Sequence, residues 1–271
     1  VLDIEACPVL RPALQQAWAS VRSSLGPHLS GSGEIVLGLG SGERPFVALR
    51  TDQEQSPSLY TACESLSGLA QICGVSLRQG GASKAARWGQ PELSVRRADG
   101  FELRAPIDAF CQANDEVNEA LVAHVVTLVQ PSDSRVLELF CGIGNFTLPL
   151  AKNSVALVAV EQSASALAAC RDNLSRAGLR ARLVEADANE PPKGKFDVLL
   201  LDPPRQGAKL LFSNPIASKP KRIVYVSCDT ATLGRDLRLA EAQGYRIDAM
   251  AGFDMFPQTA HLESVVRLVR Q

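Results

Sequence analysis

The chemistry that this 271-residue chain can do is concentrated in short polar stretches at the ends of apolar runs. Ser227-Cys228-Asp229 follows the run Arg222 to Ser227. A thiol with the ordinary pKa of ~8.5 is only a few per cent thiolate near neutrality, so a nucleophilic Cys228 needs a base or positive potential. The N-terminus of a helix predicted from Thr230 would supply some. Near the C-terminus, Met255-Phe256-Pro257-Gln258-Thr259 leads to His261 and Glu263 at the start of a last strand, Leu262 to Val269. The two-residue period of a strand puts His261 and Glu263 on one face and Leu262 on the other.

Phe140-Cys141-Gly142-Ile143-Gly144-Asn145 closes another run, Arg135 to Phe140. Gly142 and Gly144 make a turn that a ligand can approach closely, and Glu161, ending the next run, is placed to bind the ribose hydroxyls of a nucleoside. A dinucleotide turn wants a small residue three positions after Gly144, where Thr147 stands, whereas S-adenosylmethionine has no phosphate and needs no such approach. The turn therefore favours S-adenosylmethionine over a nicotinamide cofactor. Asp202-Pro203-Pro204-Arg205 follows the run Phe196 to Leu201. Methylases of exocyclic base amines typically carry Asp or Asn, two prolines and an aromatic here. Arg205 replaces that ring, which keeps the architecture of a base-modifying methylase and puts the amine chemistry in doubt.

The elements that must position these groups are legible as an alternation. Strand-like runs at Arg135 to Phe140, Val155 to Glu161, Ala181 to Ala186, Phe196 to Leu201 and Arg222 to Ser227 alternate with helices predicted over Ser163 to Ala177 and Thr230 to Gln243. That pattern predicts βαβ units and a mostly parallel sheet, closed by strands near Tyr245 to Ala251 and Leu262 to Val269. Ligands bind outside the carboxyl ends of such strands, where the polar stretches stand. The first hundred residues are punctuated by Gly, Ser and Arg. They predict a small α+β unit with a helix at Pro12 to Leu25, strands at Glu34 to Leu39 and Pro45 to Thr51, and a hairpin at Leu93 to Arg97 and Gly100 to Leu103. A long helix, Asn114 to Val129, ends before Pro131. The expected domains are 1–105 and 106–271.

Lys plus Arg total 28 against 29 Asp plus Glu, so no global positive field draws in nucleic acid. The local exception is Arg78, Lys84, Arg87, Arg96, Arg97 and Arg104 against Glu92, Asp99 and Glu102, with Trp88 and Phe101 interleaved. Such a patch could track phosphates and stack a base, or be a solvated hairpin face. Seven cysteines without a CxxC pair predict reduced thiols and a cytoplasmic location. No run approaches the ~18 apolar residues of a membrane span, and no secretory signal opens the chain. It begins at Val1 rather than Met, so upstream residues are expected.

Five motifs, in order and spacing, resemble the RNA 5-methyluridine methyltransferase family: Phe110-Cys111-Gln112-Ala113-Asn114, Val136 to Leu150, Asp202 to Gly207, Ile223 to Asp236, and Met255 to Glu263. The resemblance is strong from 106 onward and weak before it. It implies a class I S-adenosylmethionine-dependent methyltransferase fold, α/β and Rossmann-like with a seven-stranded mostly parallel sheet, preceded by a small α+β domain that contacts RNA. It makes Cys228 the nucleophile and Glu263 the general base, and lines the cofactor pocket with Gln112, Phe140, Asn145, Glu161, Asp187 and Asp202 beside the turn of Gly142 and Gly144. Asn189 competes with Asp187 for its place. Cys111 stands where many members have a second Phe, Asp229 where Asn is frequent and Thr230 where Pro is common, departures that touch neither nucleophile nor base.

The implied partner is ribosomal or transfer RNA, with no membrane and no obligate protein partner, the chain acting as a monomer. The implied reaction is methylation of uridine C5 through a Cys–C6 adduct. Methylation of cytosine C5 or an exocyclic amine, and an inactive RNA-binding module, are the alternatives. Some members hold an iron–sulfur cluster through three upstream cysteines and one in a Cys-Pro-Val context. Cys7-Pro8-Val9 matches the last alone, so no cluster is expected from these residues.

Overall fold

The computed structural model describes residues 3–107, 109–214, 216 and 218–271. Val1, on which the expectation of upstream residues rests, lies outside them. The chain divides into two compact units, residues 1–95 with 104–108, and residues 96–103 with 109–271.

The first unit contains α1 (Pro12–Leu25), β1 (Gly33–Leu39), β2 (Pro45–Thr51), α2 (Pro57–Ser67), β3 (Gly74–Gln79) and β4 (Ala86–Gly89); β5 (Glu92–Arg96) and β6 (Glu102–Pro106) pair as a ribbon whose tip, residues 96–103, belongs to the second unit. Its sheet runs β1-β2-β3-β4, with β2 and β3 parallel around α2. Ala17, Val21 and Leu25 of α1 and Leu59, Cys63 and Leu66 of α2 recur at helical spacing and bury against Val47, Leu49, Val75 and Leu77 of one sheet face. Trp88 packs into this cluster, its ring edge-on to Tyr60 at 5.9 Å between centroids. It therefore belongs to the helix-covered core rather than to a base-stacking surface.

The second unit contains α3 (Asp115–Val129), β7 (Arg135–Leu139), α4 (Thr147–Asn153), β8 (Ala156–Glu161), α5 (Ala164–Arg176), β9 (Arg182–Glu185), β10 (Val198–Leu201), α6 (Lys209–Ser213), β11 (Arg222–Ser227), α7 (Thr230–Ala242), β12 (Tyr245–Phe253) and β13 (Glu263–Arg270). The sheet order is β12-β13-β11-β10-β7-β8-β9. The strands β9, β8, β7, β10 and β11 pair in parallel, and β13 is antiparallel to both its neighbours. Its order reverses between β7 and β10, the switch point where open α/β sheets bind ligands.

Both faces of this sheet are covered, which is why β10 is the uninterrupted apolar run Val198–Leu201. Val136, Val198, Leu200, Val224, Val226 and Val265 pack with Leu121, Val125 and Leu128 of α3. Their alternating neighbours Leu137, Leu199, Ile223 and Tyr225 pack with Phe212 of α6 and Leu233 and Leu237 of α7. The helices start where side chains cap them: Asn114, Ser163 and Asp229 each accept a backbone N–H from the first turn of α3, α5 and α7. Among the described residues no helix is long and apolar enough to cross a membrane.

Candidate active site

Strand alternation aims the site. Val224 and Val226 of β11 face α3, as do Val198 and Leu200 of β10 and Val265 of β13. Glu263 opens β13, and Cys228 and Asp202 stand one residue beyond β11 and β10, each at the next position of the same parity. Ser227 pairs with Ser264 in the antiparallel β11–β13 ladder, so Cys228 and Glu263 follow at the open end of that pairing. Leu201 pairs with Leu139, and the Asp202 N–H reaches the Leu139 carbonyl at 3.4 Å, which sets Asp202 at the switch point.

Electrostatics agree with this convergence. Burial lifts the Glu263 carboxyl to about 7. Burial and then the charge of Glu263 hold the Asp202 carboxyl well above the usual carboxylate range. The Cys228 thiol is pushed up by burial, then by Glu263 and Asp202, with Arg205 acting against them. The expected help from the start of α7 is already taken: Asp229 accepts the Thr232 N–H at 2.8 Å, and that bond holds its own carboxyl low. The cysteine is thus a neutral thiol until the local negative charge is offset. Among the described residues no Lys or Arg forms an ion pair with Asp202 or Glu263.

The glycine turn lies beside this group. Phe140 (φ +63°), Gly142 (+54°) and Gly144 (+100°) are left-handed. A Cβ on Gly142 would meet open space, whereas one on Gly144 would lie 2.8 Å from a Leu148 methyl and 3.0 Å from the Cys170 sulfur. Gly144 therefore seats the turn on α4 and α5, and Gly142 leaves its outer side clear. Glu161 accepts the Gly142 N–H at 3.0 Å and the Ser163 N–H at 2.8 Å, one on each oxygen, with acceptor capacity remaining on both. Asp187, exposed just after β9, accepts the N–H and side-chain amide of Asn189, so the two competitors for that place form one local turn. Gln112 is half-buried ahead of α3.

A buried S-adenosylmethionine would bring a sulfonium and an ammonium. Two raised, cation-free carboxyls and an open glycine turn suit such a ligand, so the donor set fits the cofactor. Among the described residues no group of three or more His, Cys, Asp and Glu is arranged to hold a metal ion.

Three sequence expectations change. His261 lies before β13, exposed, its ring edge-on to Phe256 at 6.3 Å, so strand periodicity does not pair it with Glu263. Arg97 is buried and bonded to Asp99 and Asn145, which removes it from any phosphate-tracking face. Phe101 lies under Lys152, whose Nζ is 6.0 Å from the ring centre.

Two features went unread in the sequence. Glu138 of β7 is buried with neither carboxyl oxygen bonded, and burial, Cys170 and Asp202 hold it well above the usual range. Asp236 of α7 accepts from the Tyr225 hydroxyl (2.8 Å), the Ala208 N–H (2.7 Å) and Arg235 Nε (2.8 Å), while Arg235 also donates to the Gln206 carbonyl. These bonds tie the loop after Asp202 to the helix after Cys228. Glu138 is an acid in the otherwise apolar run of β7, the available signal, whereas Asp236 stands between Arg235 and Leu237 with Arg238 beyond and gives none. A groove of about 590 Å³ between α5 and β9, lined by Arg171, Leu174 and Arg180 among others, holds none of the predicted site residues.

A sheet whose strands, numbered along this unit from β7, lie in the order 3-2-1-4-5-7-6, with a glycine turn after the first and acids after the second and fourth, defines a class I S-adenosylmethionine-dependent methyltransferase. The family described as tRNA (Uracil-5-)-methyltransferase matches residues 90–190 and 182–271. The chain belongs to that family. It is 37% identical to the 23S rRNA (uracil(1939)-C(5))-methyltransferase RlmD of Marinomonas posidonica, over all of this chain and 63% of the relative. The RlmD of Pectobacterium atrosepticum is 35% identical over 98% of this chain and 60% of its own length. This chain thus spans under two thirds of those relatives. The crystal structure of Pyrococcus abyssi tRNA (uracil-54, C5)-methyltransferase in complex with S-adenosyl-L-homocysteine superposes with a TM-score of 0.84 at 25% identity, covering 99% of this chain and 70% of that one.

Proposed function

We propose that this chain catalyses transfer of a methyl group from S-adenosylmethionine to C5 of a uridine in RNA, with Cys228 as nucleophile and Glu263 as general base. The observation that carries this reading is the placement of Cys228 and Glu263 at the open end of the β11–β13 ladder, within electrostatic reach of each other. Uracil C5 is too weak a nucleophile to take the methyl group directly. The Cys228 thiolate adds to C6, and the electron pair released makes C5 an enolate carbon. When bound, S-adenosylmethionine supplies an electrophilic methyl on a sulfonium, which C5 takes. Glu263 then removes the C5 proton, the C6–S bond breaks and the thiolate is restored. A carboxyl lifted to about 7 is a stronger base than an ordinary glutamate and still substantially ionised near neutrality.

Asp202, Glu161, Asp187, Gln112, Phe140 and Asn145 around Gly142 and Gly144 are the proposed cofactor residues. A cation held by Asp202 offsets part of the charge that raises Cys228, which links donor binding to thiolate formation. The target base must leave its stack to reach the thiol. The proposed partner is RNA, with the chain acting as a monomer and away from membranes. Arg50, ion-paired with Glu34 at 2.8 Å, faces Arg78 across β2 and β3, and Arg87 is paired with Ser76 two residues earlier on β3. That basic face, opposite the helices, supports phosphate contacts by the first unit. Seven free cysteines support a reducing compartment such as the cytoplasm. Nucleoside mass spectrometry of RNA from cells with and without the protein tests the function: 5-methyluridine should fall at one site in its absence, and an unchanged nucleoside profile would overturn the reading.

A further inference from the structure

Arg97 comes from the most basic stretch of the chain, yet its side chain is only 4% exposed. Its donors are spent inside the second unit. Nε and Nη2 grip the two carboxylate oxygens of Asp99 at 3.2 and 2.5 Å, and Nη1 reaches the Asn145 carbonyl at 2.7 Å and the Asn145 side-chain oxygen at 3.0 Å. Asp99 also accepts the Phe101 N–H, and the Arg97 N–H closes the hairpin tip onto the Phe101 carbonyl. On its other side Asn145 exchanges two amide hydrogen bonds with Asn118 of α3, at 2.9 and 3.1 Å, and Asn118 is 5% exposed. Glu119, next on α3, takes the Ala98 N–H at 2.8 Å.

Asn145 is the last polar residue of the glycine turn. Its side-chain oxygen accepts from both Arg97 and Asn118, and one of its amide hydrogens is committed to Asn118. The Asn145 amide is therefore held from two sides, and its carbonyl by Arg97 as well. The turn opens on Phe140 at φ +63°, a left-handed non-glycine residue, a backbone that persists only where its surroundings over-determine it. Arg97 supplies a rigid planar fork that binds one carboxylate and two oxygens of the turn at once, a geometry Lys cannot copy.

We infer that Arg97 is a positioning residue for the cofactor turn: through Asn145 it sets the shape of the S-adenosylmethionine pocket, and it makes no contact with RNA phosphate. This rests on the reading of the Gly142–Gly144 turn as the cofactor's.

Arg97→Lys separates the two roles, because it keeps the positive charge that a phosphate contact needs and loses the fork. The measurements are calorimetric binding of S-adenosylhomocysteine, and binding of a mixed-sequence single-stranded RNA oligonucleotide at two salt concentrations, with Arg97→Ala and Asp99→Asn in parallel. The positioning role predicts roughly tenfold or greater loss of S-adenosylhomocysteine affinity in Arg97→Lys, the scale of charge-assisted bonds to a buried group. RNA affinity and its salt slope should stay as in wild type. In turnover, KM for S-adenosylmethionine should rise while kcat at saturation stays within about threefold, a split that general loosening of the fold would not produce. Unchanged S-adenosylhomocysteine affinity in Arg97→Lys, or a salt slope reduced by about one in Arg97→Ala, would overturn the inference about Arg97. Failure of the wild-type protein to bind S-adenosylhomocysteine would instead overturn the cofactor reading beneath it.

Discussion

Cys228 and Glu263 follow directly beyond the Ser227–Ser264 pair of the β11–β13 ladder. Opposed residues of an antiparallel pair lie about 4.5–5.5 Å apart at Cα, so a planar base fits between the two functional groups only at the open end of the ladder. The thiol and the carboxyl are each raised, and the thiol is raised partly by the carboxyl. They act as one electrostatic unit, which leads to tests that do not require the RNA substrate.

Glu263→Gln should lower the Cys228 pKa, because it removes the charge that ranks next after burial among the causes of its elevation. Iodoacetamide alkylation of Cys228 at pH 7.5 should be faster than in wild type, and Asp202→Asn should act in the same direction more weakly. An unchanged or slower rate in Glu263→Gln would contradict the coupling.

Bound S-adenosylmethionine should shift the alkylation profile of Cys228 to lower pH, and S-adenosylhomocysteine, which has lost the sulfonium charge, should shift it less. Mass-resolved alkylation across pH 6 to 9 reads this directly. Equal profiles with the two ligands would show that no cofactor cation offsets Asp202 and Glu263.

Glu263 also fixes opposing pH trends for activity and stability. As a base it must be ionised, so its protonation alone should cut turnover about tenfold by pH 6, and the raised Cys228 thiol makes that fall steeper. Its folded pKa exceeds the unfolded value of about 4.3, so the folded state binds the proton more tightly. Its stabilising contribution is complete below about pH 4.3 and is lost as pH rises through about 7, a difference of roughly 4 kcal/mol. Denaturation of wild type and Glu263→Gln at pH 5 and pH 8 should show the variant gaining relative stability at pH 8. A constant gap would contradict the raised pKa.

The clamp around Asp236 should behave as structure rather than chemistry. Tyr225→Phe removes one donor and leaves Asp236 with the Ala208 N–H and Arg235, at a cost of about 1–2 kcal/mol in chemical denaturation. Gly207→Ala should cost more. Its φ is +73°, and a Cβ there would lie 2.5 Å from Asp236 Oδ2.

Much of the catalytic unit is written locally. Arg222 to Ser227 was expected as a strand and forms β11 without a change of boundary, because β-branched residues and a parallel sheet buried on both faces leave one solution. The placement of the proposed site residues follows for the same reason: polar groups directly after apolar runs fall at one sheet edge. In the first unit α2 and β3 were not read. The helix is marked only by Leu59, Cys63 and Leu66, and Gly74–Gln79 carries only the short alternation Val75-Ser76-Leu77-Arg78, two apolar positions long. Composition could not tell that Arg97 points inward and Trp88 into the helix-covered core, since both depend on which face of a hairpin or sheet is covered. Nor could it show that Glu263 departs from an ordinary glutamate, because the shift comes from burial by residues distant in sequence.

The most direct measurement is the capture of a covalent intermediate. The protein is incubated with S-adenosylmethionine and substrate RNA carrying 5-fluorouridine, in which fluorine replaces the proton that Glu263 would remove, and then digested and analysed by mass spectrometry. The account predicts one adduct, a methylated fluorouridine nucleotide on the peptide containing Cys228, absent in Cys228→Ala even though that variant still binds S-adenosylhomocysteine. Methylated RNA without any protein adduct, or an adduct on one of the other six cysteines, would contradict it.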